Sequence, residues 1–240
     1  MSSPELSAAS KAITNAREAW GDNYTKAIFG MLISSIDRAN TLIKPPEPVD
    51  GLKIQIADMP LTRRGIKTAR LWGMHSRWSG FDLVMDSKNP QAVLDEVEVT
   101  TFHETTRVRI FQERIINGHY NDNTELDPLG VIIEDGMVIA TLENLLGPNA
   151  HDLHKYTSHA IDRNDIRRHI ASYASAQATT DLSNAEHLDI HMGSKELPRL
   201  GYKIGHAIVS SAIATHELST DEMLSQSPKF FSDHAQSLIA

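Results

Sequence analysis

The chain has 240 residues, a formal net charge of −8, 22% charged and 40% hydrophobic residues. These are ordinary values for a globular protein, and the scattered basic residues argue against nucleic acid or an anionic membrane as its main partner. Cysteine is absent, so disulfides and thiolate metal sites are excluded and any metal must be bound by histidines and carboxylates.

The N-terminus has no basic patch followed by an apolar core, and no run approaches the roughly 18 apolar residues of a membrane span, so we expect a cytoplasmic protein.

The first part of the chain is predicted to form helices. Residues 1–43 predict N-terminal helices over Ser7–Ala19 and Tyr24–Ile43, where apolar residues recur at helical spacing. Three prolines in Lys44–Gly51 then favour an extended connector.

Two short strands are predicted next. Leu52–Met59 alternates apolar and polar residues, the period of a half-buried strand, and Phe81–Met85 is a second strand. The stretch between them, Thr62–Gly80, contains glycines and aromatic residues and suits a loop or an irregular hairpin. Within it, Trp72 and Trp78 either line a cleft or pack on the core, and the sequence leaves both alternatives open.

Helices are predicted for most of the remaining chain. Asn89 as N-cap and Pro90 at the first helical position start a helix to about Asn117, with Thr100-Thr101 as a point where it can break. The later predicted helices are Leu129–Leu146, a helix from Asp162 or Asn164 to Ala176, Leu197–His216, and a short helix opened by a capping box of Ser219 and Glu222. Gly201 and Gly205, one turn apart, allow another helix to approach closely.

The sequence His103-Glu104-Thr105-Thr106-Arg107 carries the main chemical signal. On a helix, His103 and Arg107 project the same way, one turn apart, and Glu104 heads a neighbouring column of apolar residues. The zincin signature H-E-x-x-H has this layout, in which two histidines bind Zn²⁺ and the glutamate activates a metal-bound water. Here Arg107 occupies the second histidine position, and a guanidinium cannot ligate zinc.

A zinc site on this helix would therefore need another imidazole. On a continuous helix His119 lies about 24 Å from His103, so it substitutes only if the helix ends early. His75 and His206 remain open as alternatives. Two weaker histidine patterns, His187 with His191 and His151 with His154, are better explained by surface or loop positions. Ser210-Ser211 lies near His206 and His216 without a nucleophile-elbow turn, which argues against a serine hydrolase.

Three segments in this order resemble a known family: Phe102–Arg109, Val131–Gly147 and Leu197–Pro228. The order is similar to that of the bacterial predicted zinc-dependent proteases described as a domain of unknown function with an H-E-x-x-H helix. The likeness covers roughly residues 52–230. Its C-terminal part matches well, and the metal helix departs from the family pattern at Arg107.

The resemblance implies a fold class and a domain organisation. The fold would be α+β and mainly α-helical, with a small β-sheet followed by a zincin-like active-site helix and a C-terminal helical bundle. The domain would span residues 52–230, with the helices of residues 1–43 packed on it as part of a single globular unit.

The resemblance also implies site residues and a reaction. His103 would be a zinc ligand, Glu104 the general base, and Glu134, from a different helix, the third metal ligand. Tyr202 would hydrogen-bond the oxyanion. The expected function is zinc-dependent hydrolysis of peptide bonds, with an extended substrate along the exposed edge of Phe81–Met85.

The alternative is a catalytically inactive binding or regulatory module on a protease-derived fold. Arg107 would then occupy the vacated metal position and neutralise Glu104 and Glu134 together by bidentate hydrogen bonds. On a surface, Glu104 and Arg107 would be no more than an i, i+3 ion pair. In either case the expected partner is a peptide or a protein, with no nucleic acid and no membrane.

Overall fold

The computed structural model describes residues 3–59, 62–63, 66–67, 69–118, 128–148, 150, 164, 167 and 200–239. The described chain is mainly helical with a small β-sheet, so the predicted α+β, mainly α-helical class is confirmed. It divides into two compact units, Met1–Gln112 and Glu113–Ala240. No boundary near residue 112 is predicted from the sequence, and a single domain over residues 52–230 stays a prediction.

The first unit begins with helix α1, Ser3–Ile43, whose path is interrupted at Gly21. Gly21 has a φ of 78° and a ψ of 170°, a conformation that residues with a β-carbon rarely adopt. The two predicted N-terminal helices are therefore confirmed as two helical segments joined at a glycine. Ala16, Trp20 and Ile28 of α1 belong to the same buried apolar cluster as residues of the sheet.

Within the described residues, five strands follow α1. They are β1 (Gly51–Ala57), β2 (Thr62–Arg63), β3 (Ile66–Lys67), β4 (Leu71–Arg77) and β5 (Gly80–Asp86). β5 is the central strand of a three-stranded sheet, with β1 parallel on one side and β4 antiparallel on the other, and β2 and β3 form a separate antiparallel pair. Both predicted strands are thus confirmed.

The stretch Thr62–Gly80 is more regular than a loop. The hairpin alternative was right, because β2 pairs with β3 and β4 pairs with β5 through a register shift between His75 and Arg77. Leu71 is buried and Trp72 exposed, the alternation of a strand with one covered face. Gly73 carries no side chain to continue that alternation, which hid the strand from the sequence pattern.

The predicted substrate edge is wrong. Phe81–Met85 lies in β5, which pairs on both sides, so its backbone hydrogen-bonding groups are used within the sheet. Phe81, Leu83 and Met85 are buried, as expected for a central strand. The outer strands of this sheet are β1 and β4.

Helix α2, Pro90–Ile116, follows the sheet and is continuous through the Thr100-Thr101 pair. The predicted helix is confirmed without the break. The Thr101 hydroxyl donates to the Val97 carbonyl at 2.7 Å, which satisfies the hydroxyl inside the helix. The first unit includes α2 as far as Gln112.

The described part of the second unit contains four further helices: α3 (Pro128–Leu146), α4 (Leu200–His216), α5 (Thr220–Ser225) and α6 (Pro228–Ile239). These confirm the predicted helices at 129–146 and, from Leu200 onward, at 197–216. The capping box is also confirmed, because the Ser219 hydroxyl accepts from the Glu222 N–H and the Glu222 carboxylate accepts from the Ser219 N–H. The predicted helix to Ala176 lies outside the described residues, apart from Asn164 and Arg167.

Helices α3 and α4 cross at two glycines. A β-carbon on Gly205 would lie 2.8 Å from the carbonyl carbon of Ile132, and one on Gly136 would lie 2.8 Å from the backbone nitrogen of His206. The predicted close approach of another helix at Gly205 is therefore confirmed.

Among the described residues, no helix combines the length and the apolar character that a membrane span requires.

Candidate functional site

Strand β4 runs alongside α2 and is held by side chains of that helix at both ends. Near the start of β4, the Glu96 carboxylate accepts hydrogen bonds from the N–H groups of Arg70 and Leu71 at 2.7 and 2.8 Å. Beyond its end, the Gln112 side-chain amide donates to the Trp78 carbonyl at 2.7 Å. The helix rises about 24 Å between Glu96 and Gln112, and the strand spans about 23 Å over the matching residues, so the two elements stay in register.

Glu104 lies between these two anchors and faces the middle of β4. A β-carbon on Gly73 would stand 2.5 Å from Oε1 of Glu104 and 2.6 Å from its Cδ. Glu104 is buried, with 3% of its surface exposed. The Glu104 carboxylate therefore occupies the space that a side chain at position 73 of β4 would fill, and glycine leaves that space open.

His103 and Arg107 form a hydrogen-bonded pair on α2. Arg107 donates from Nε to Nε2 of His103 at 3.0 Å, as the one-turn spacing predicts. Nε2 of His103 is also 3.9 Å from Oε1 of Glu104. His103 is buried and Arg107 is half-buried, so three ionisable side chains meet in a largely desolvated place.

The cluster of His103, Glu104 and Arg107 does not fit a zinc ion as it stands. The Nε2 lone pair that would bind a metal accepts the Arg107 N–H. A guanidinium remains protonated and repels a divalent cation at this distance. A catalytic zinc site normally has three protein ligands, and the cluster offers one imidazole beside a positive charge.

The other two predicted site residues lie in the second unit. Glu134 is on α3 and forms an ion pair with Arg114, whose side chain is buried. Tyr202 is half-buried on α4. Their roles as third metal ligand and oxyanion donor stay predictions, and so do the roles of His103 and Glu104.

The other histidines considered as possible metal ligands lie in different parts of the chain. His206 lies 2.8 Å from the Glu143 carboxylate through its Nε2, inside the second unit. The backbone of His75 lies in β4, paired with Phe81. His119 and the pairs at 151 and 154 and at 187 and 191 lie outside the described residues.

The two tryptophans of the Thr62–Gly80 stretch have different environments. Trp72 on β4 is 40% exposed. Trp78 packs edge-on against Phe111 of α2, with ring centres 6.2 Å apart. The core-packing alternative therefore describes Trp78, and Trp72 lies at the surface beside the edge of the sheet.

Sequence reasoning missed the residues that position the cluster. Glu96 and Gln112 read as ordinary polar helix residues, although each holds the backbone of β4. A usable signal was the eight-residue spacing of Glu96, Glu104 and Gln112 along one predicted helix. Gly73 in an otherwise strand-like run was a second signal, because glycine inside a strand often marks the close approach of another group.

The described residues contain no group of three or more histidine, aspartate or glutamate side chains placed to hold a metal ion. In comparisons with known proteins, no family model, no curated protein and no solved structure matches the chain.

Proposed function

We propose that this chain is a metal-independent binding or regulatory module on a peptidase-like scaffold. The hydrogen bond from Arg107 to Nε2 of His103 carries the proposal, because it uses the lone pair that zinc would need. The guanidinium supplies in this place the positive charge that the metal would supply in a peptidase. The buried Glu104 carboxylate then has a counter-charge without a metal.

The free side of β4 is the proposed binding surface. In the three-stranded sheet of the described residues, β4 pairs with β5 alone, and α2 side chains bind its backbone only near Leu71 and at Trp78. The stretch between these anchors would offer main-chain hydrogen bonds to an extended peptide. Trp72 and Met74 are 40% and 64% exposed on this strand. Side chains at alternate positions of an added strand would meet these two apolar groups, which favours a peptide with apolar residues two apart.

The zinc peptidase implied by the family resemblance is a second candidate. The contact between Glu104 and Gly73 favours it, since it directs a buried carboxylate at the edge strand on which an extended substrate would lie. Under this candidate, Glu104→Gln abolishes peptide hydrolysis. Under the binding module, wild type and Glu104→Gln are equally inactive.

Zinc binding by matched variants tests the proposal. Binding is measured on the full chain by titration and by native mass spectrometry. We expect His103→Ala to leave zinc binding unchanged, because Arg107 already blocks that nitrogen. Arg107→His restores two imidazoles one turn apart and should tighten zinc binding at this helix at least tenfold, or about 1.4 kcal/mol.

Lys11→His is the control for the added imidazole, because it introduces a histidine at an exposed position of α1. It should not change zinc affinity. Loss of a stoichiometric zinc ion in His103→Ala would contradict the module and support the peptidase. Equal zinc affinity of Arg107→His and Lys11→His would contradict the peptidase-like geometry of α2.

A further inference from the structure

Two imidazoles of the second unit meet between α4 and α6. The His216 and His234 ring centres are 5.5 Å apart, with the ring planes at 70°. His216 is exposed in the last turn of α4, and His234 is 9% exposed on α6. The sequence analysis assigned neither residue to a metal site.

We propose that His216 and His234 together bind a divalent transition-metal ion such as Zn²⁺ or Ni²⁺. Imidazole is a preferred ligand for both ions, and a chain without cysteine has no thiolate to compete for them. Two protein ligands leave the remaining coordination positions to water. The site lies within one unit and does not depend on the proposed function.

The separation of the two rings matches shared coordination. With Zn–N bonds of about 2.0–2.1 Å, each ring centre lies about 3.2 Å from the metal, and tetrahedral geometry places the two centres about 5.2 Å apart. The observed 5.5 Å therefore needs only a small adjustment. The exposed position of His216 makes that adjustment easy, because its ring can rotate without disturbing the core.

Ser211 gives His234 the kind of support that metal-binding histidines commonly have. Its hydroxyl lies 3.1 Å from Nε2 of His234. When Nε2–H donates to this oxygen, Nδ1 of His234 carries the lone pair that a metal takes, and the hydrogen bond fixes the ring orientation.

The end of α4 also favours a cation. His216 is in the last turn of the helix, where the helix dipole places a partial negative charge. The Phe230 ring lies 5.0 Å from the His216 ring and limits its positions on one side.

The test is a titration of the full chain with ZnCl₂ and, separately, NiCl₂, followed by calorimetry and by histidine ring resonances in NMR spectra. We expect one saturable site, with the His216 and His234 resonances shifting together. His216→Gln and His234→Gln should each weaken binding at least tenfold. Ser211→Ala should weaken it several-fold while both imidazoles remain.

His206→Gln is the matched control, because it removes another α4 histidine that already faces a carboxylate, Glu143. It should leave the affinity unchanged. If His234→Gln does not fold, the exposed His216→Gln still decides the question. Wild-type affinity in His216→Gln would overturn the proposal, and so would metal binding that only His103→Ala or His206→Gln removes, or no saturable binding at all.

Discussion

Gly73 of β4 lies directly against the side chain of Glu104 on α2. A β-carbon at position 73 would stand 2.5 Å from Oε1 of Glu104, well inside van der Waals contact. The carboxylate is buried, so it has little room to move aside. The buried Glu104 carboxylate therefore favours glycine at position 73 of β4.

We expect Gly73→Ala to destabilise the first unit by about 1–3 kcal/mol, the usual cost of forcing extra atoms into a packed site. The measurement is urea unfolding followed by tryptophan fluorescence. All three tryptophans, Trp20, Trp72 and Trp78, lie in this unit, so the signal reports its unfolding alone.

A double-mutant cycle with Glu104→Ala separates this clash from other effects. Removing the Glu104 side chain also removes the atoms that the new methyl group meets. The cost of Gly73→Ala should therefore fall by at least about 1 kcal/mol in the Glu104→Ala background. Additive costs in the cycle would show that the two positions do not interact.

The sequence predicted the elements of the fold well where hydrophobic periodicity or capping chemistry was strong. The α2 helix, the Ser219–Glu222 capping box and the two-part N-terminal helix all followed from local signals. Strand β4 did not, because Trp72 is an apolar residue on the exposed face and Gly73 has no side chain, so the sequence does not alternate between apolar and polar residues. The pairing order was also hidden, since no local pattern indicates that β5 is central.

In the candidate site, the sequence predicted contacts between residues one turn apart on the same helix. The His103–Arg107 contact follows from i, i+4 spacing alone. The Gly73–Glu104 contact and the two anchors of β4 depend on which strand lies beside α2, a long-range choice that spacing does not encode. The pairing of Glu134 with Arg114 was likewise missed, because these residues are on different helices.

The crossing of α3 and α4 should tolerate substitution less than β4 does. At Gly205 the atoms in the way belong to the Ile132 backbone, which has no rotamer to change. We expect Gly205→Ala to destabilise the second unit by about 3 kcal/mol or more, since the two helices must separate. Far-UV circular dichroism should show loss of helix at lower urea while tryptophan fluorescence is unchanged.

Gly30→Ala is the control for this substitution, because a β-carbon there meets no atom within 4 Å. It should stabilise the first unit by about 0.5–1 kcal/mol through helix propensity. A similar small gain in Gly205→Ala would mean that the two helices do not approach as closely as the structure describes.

Asp86 and Arg70 form a buried ion pair in the first unit, with 3.0 Å between Oδ2 and Nη1. Burial alone would raise the pKa of Asp86, but hydrogen bonds from the Lys88 N–H, Asn89 and Arg70 outweigh it and lower the pKa below its usual value of 3.8. We expect Asp86→Asn to cost about 3–5 kcal/mol, because it removes the charged half of a buried, hydrogen-bonded ion pair.

The lowered pKa also sets a pH dependence for this pair. The stabilisation is fully present above about pH 3.8 and is lost as the pH falls below that value through the folded-state pKa. The difference between wild type and Asp86→Asn should therefore shrink in acid. Asp82→Asn, which weakens a 3.9 Å pair with the exposed Lys53, should cost less than about 1 kcal/mol and serves as the control.

Lys203 on α4 offers a substitution that should stabilise the protein. It is 7% exposed, and its Nζ has no hydrogen-bond partner among the described residues. Burial lowers the pKa of this amine below its usual value of 10.5, since the charged form is poorly solvated. Lys203→Met keeps the length of the side chain and removes the amine.

We expect Lys203→Met to raise the stability of the second unit by about 1 kcal/mol or more at pH 7, measured by urea unfolding with far-UV circular dichroism. Above its folded-state pKa the buried amine is neutral, while the unfolded chain still binds the proton up to about pH 10.5. Wild type therefore gains stability as the pH rises through this window, and the advantage of the variant declines. Lys229 is exposed, and Lys229→Met should change the stability by less than about 0.5 kcal/mol both at pH 7 and at higher pH. Destabilisation by Lys203→Met at pH 7 would contradict this prediction.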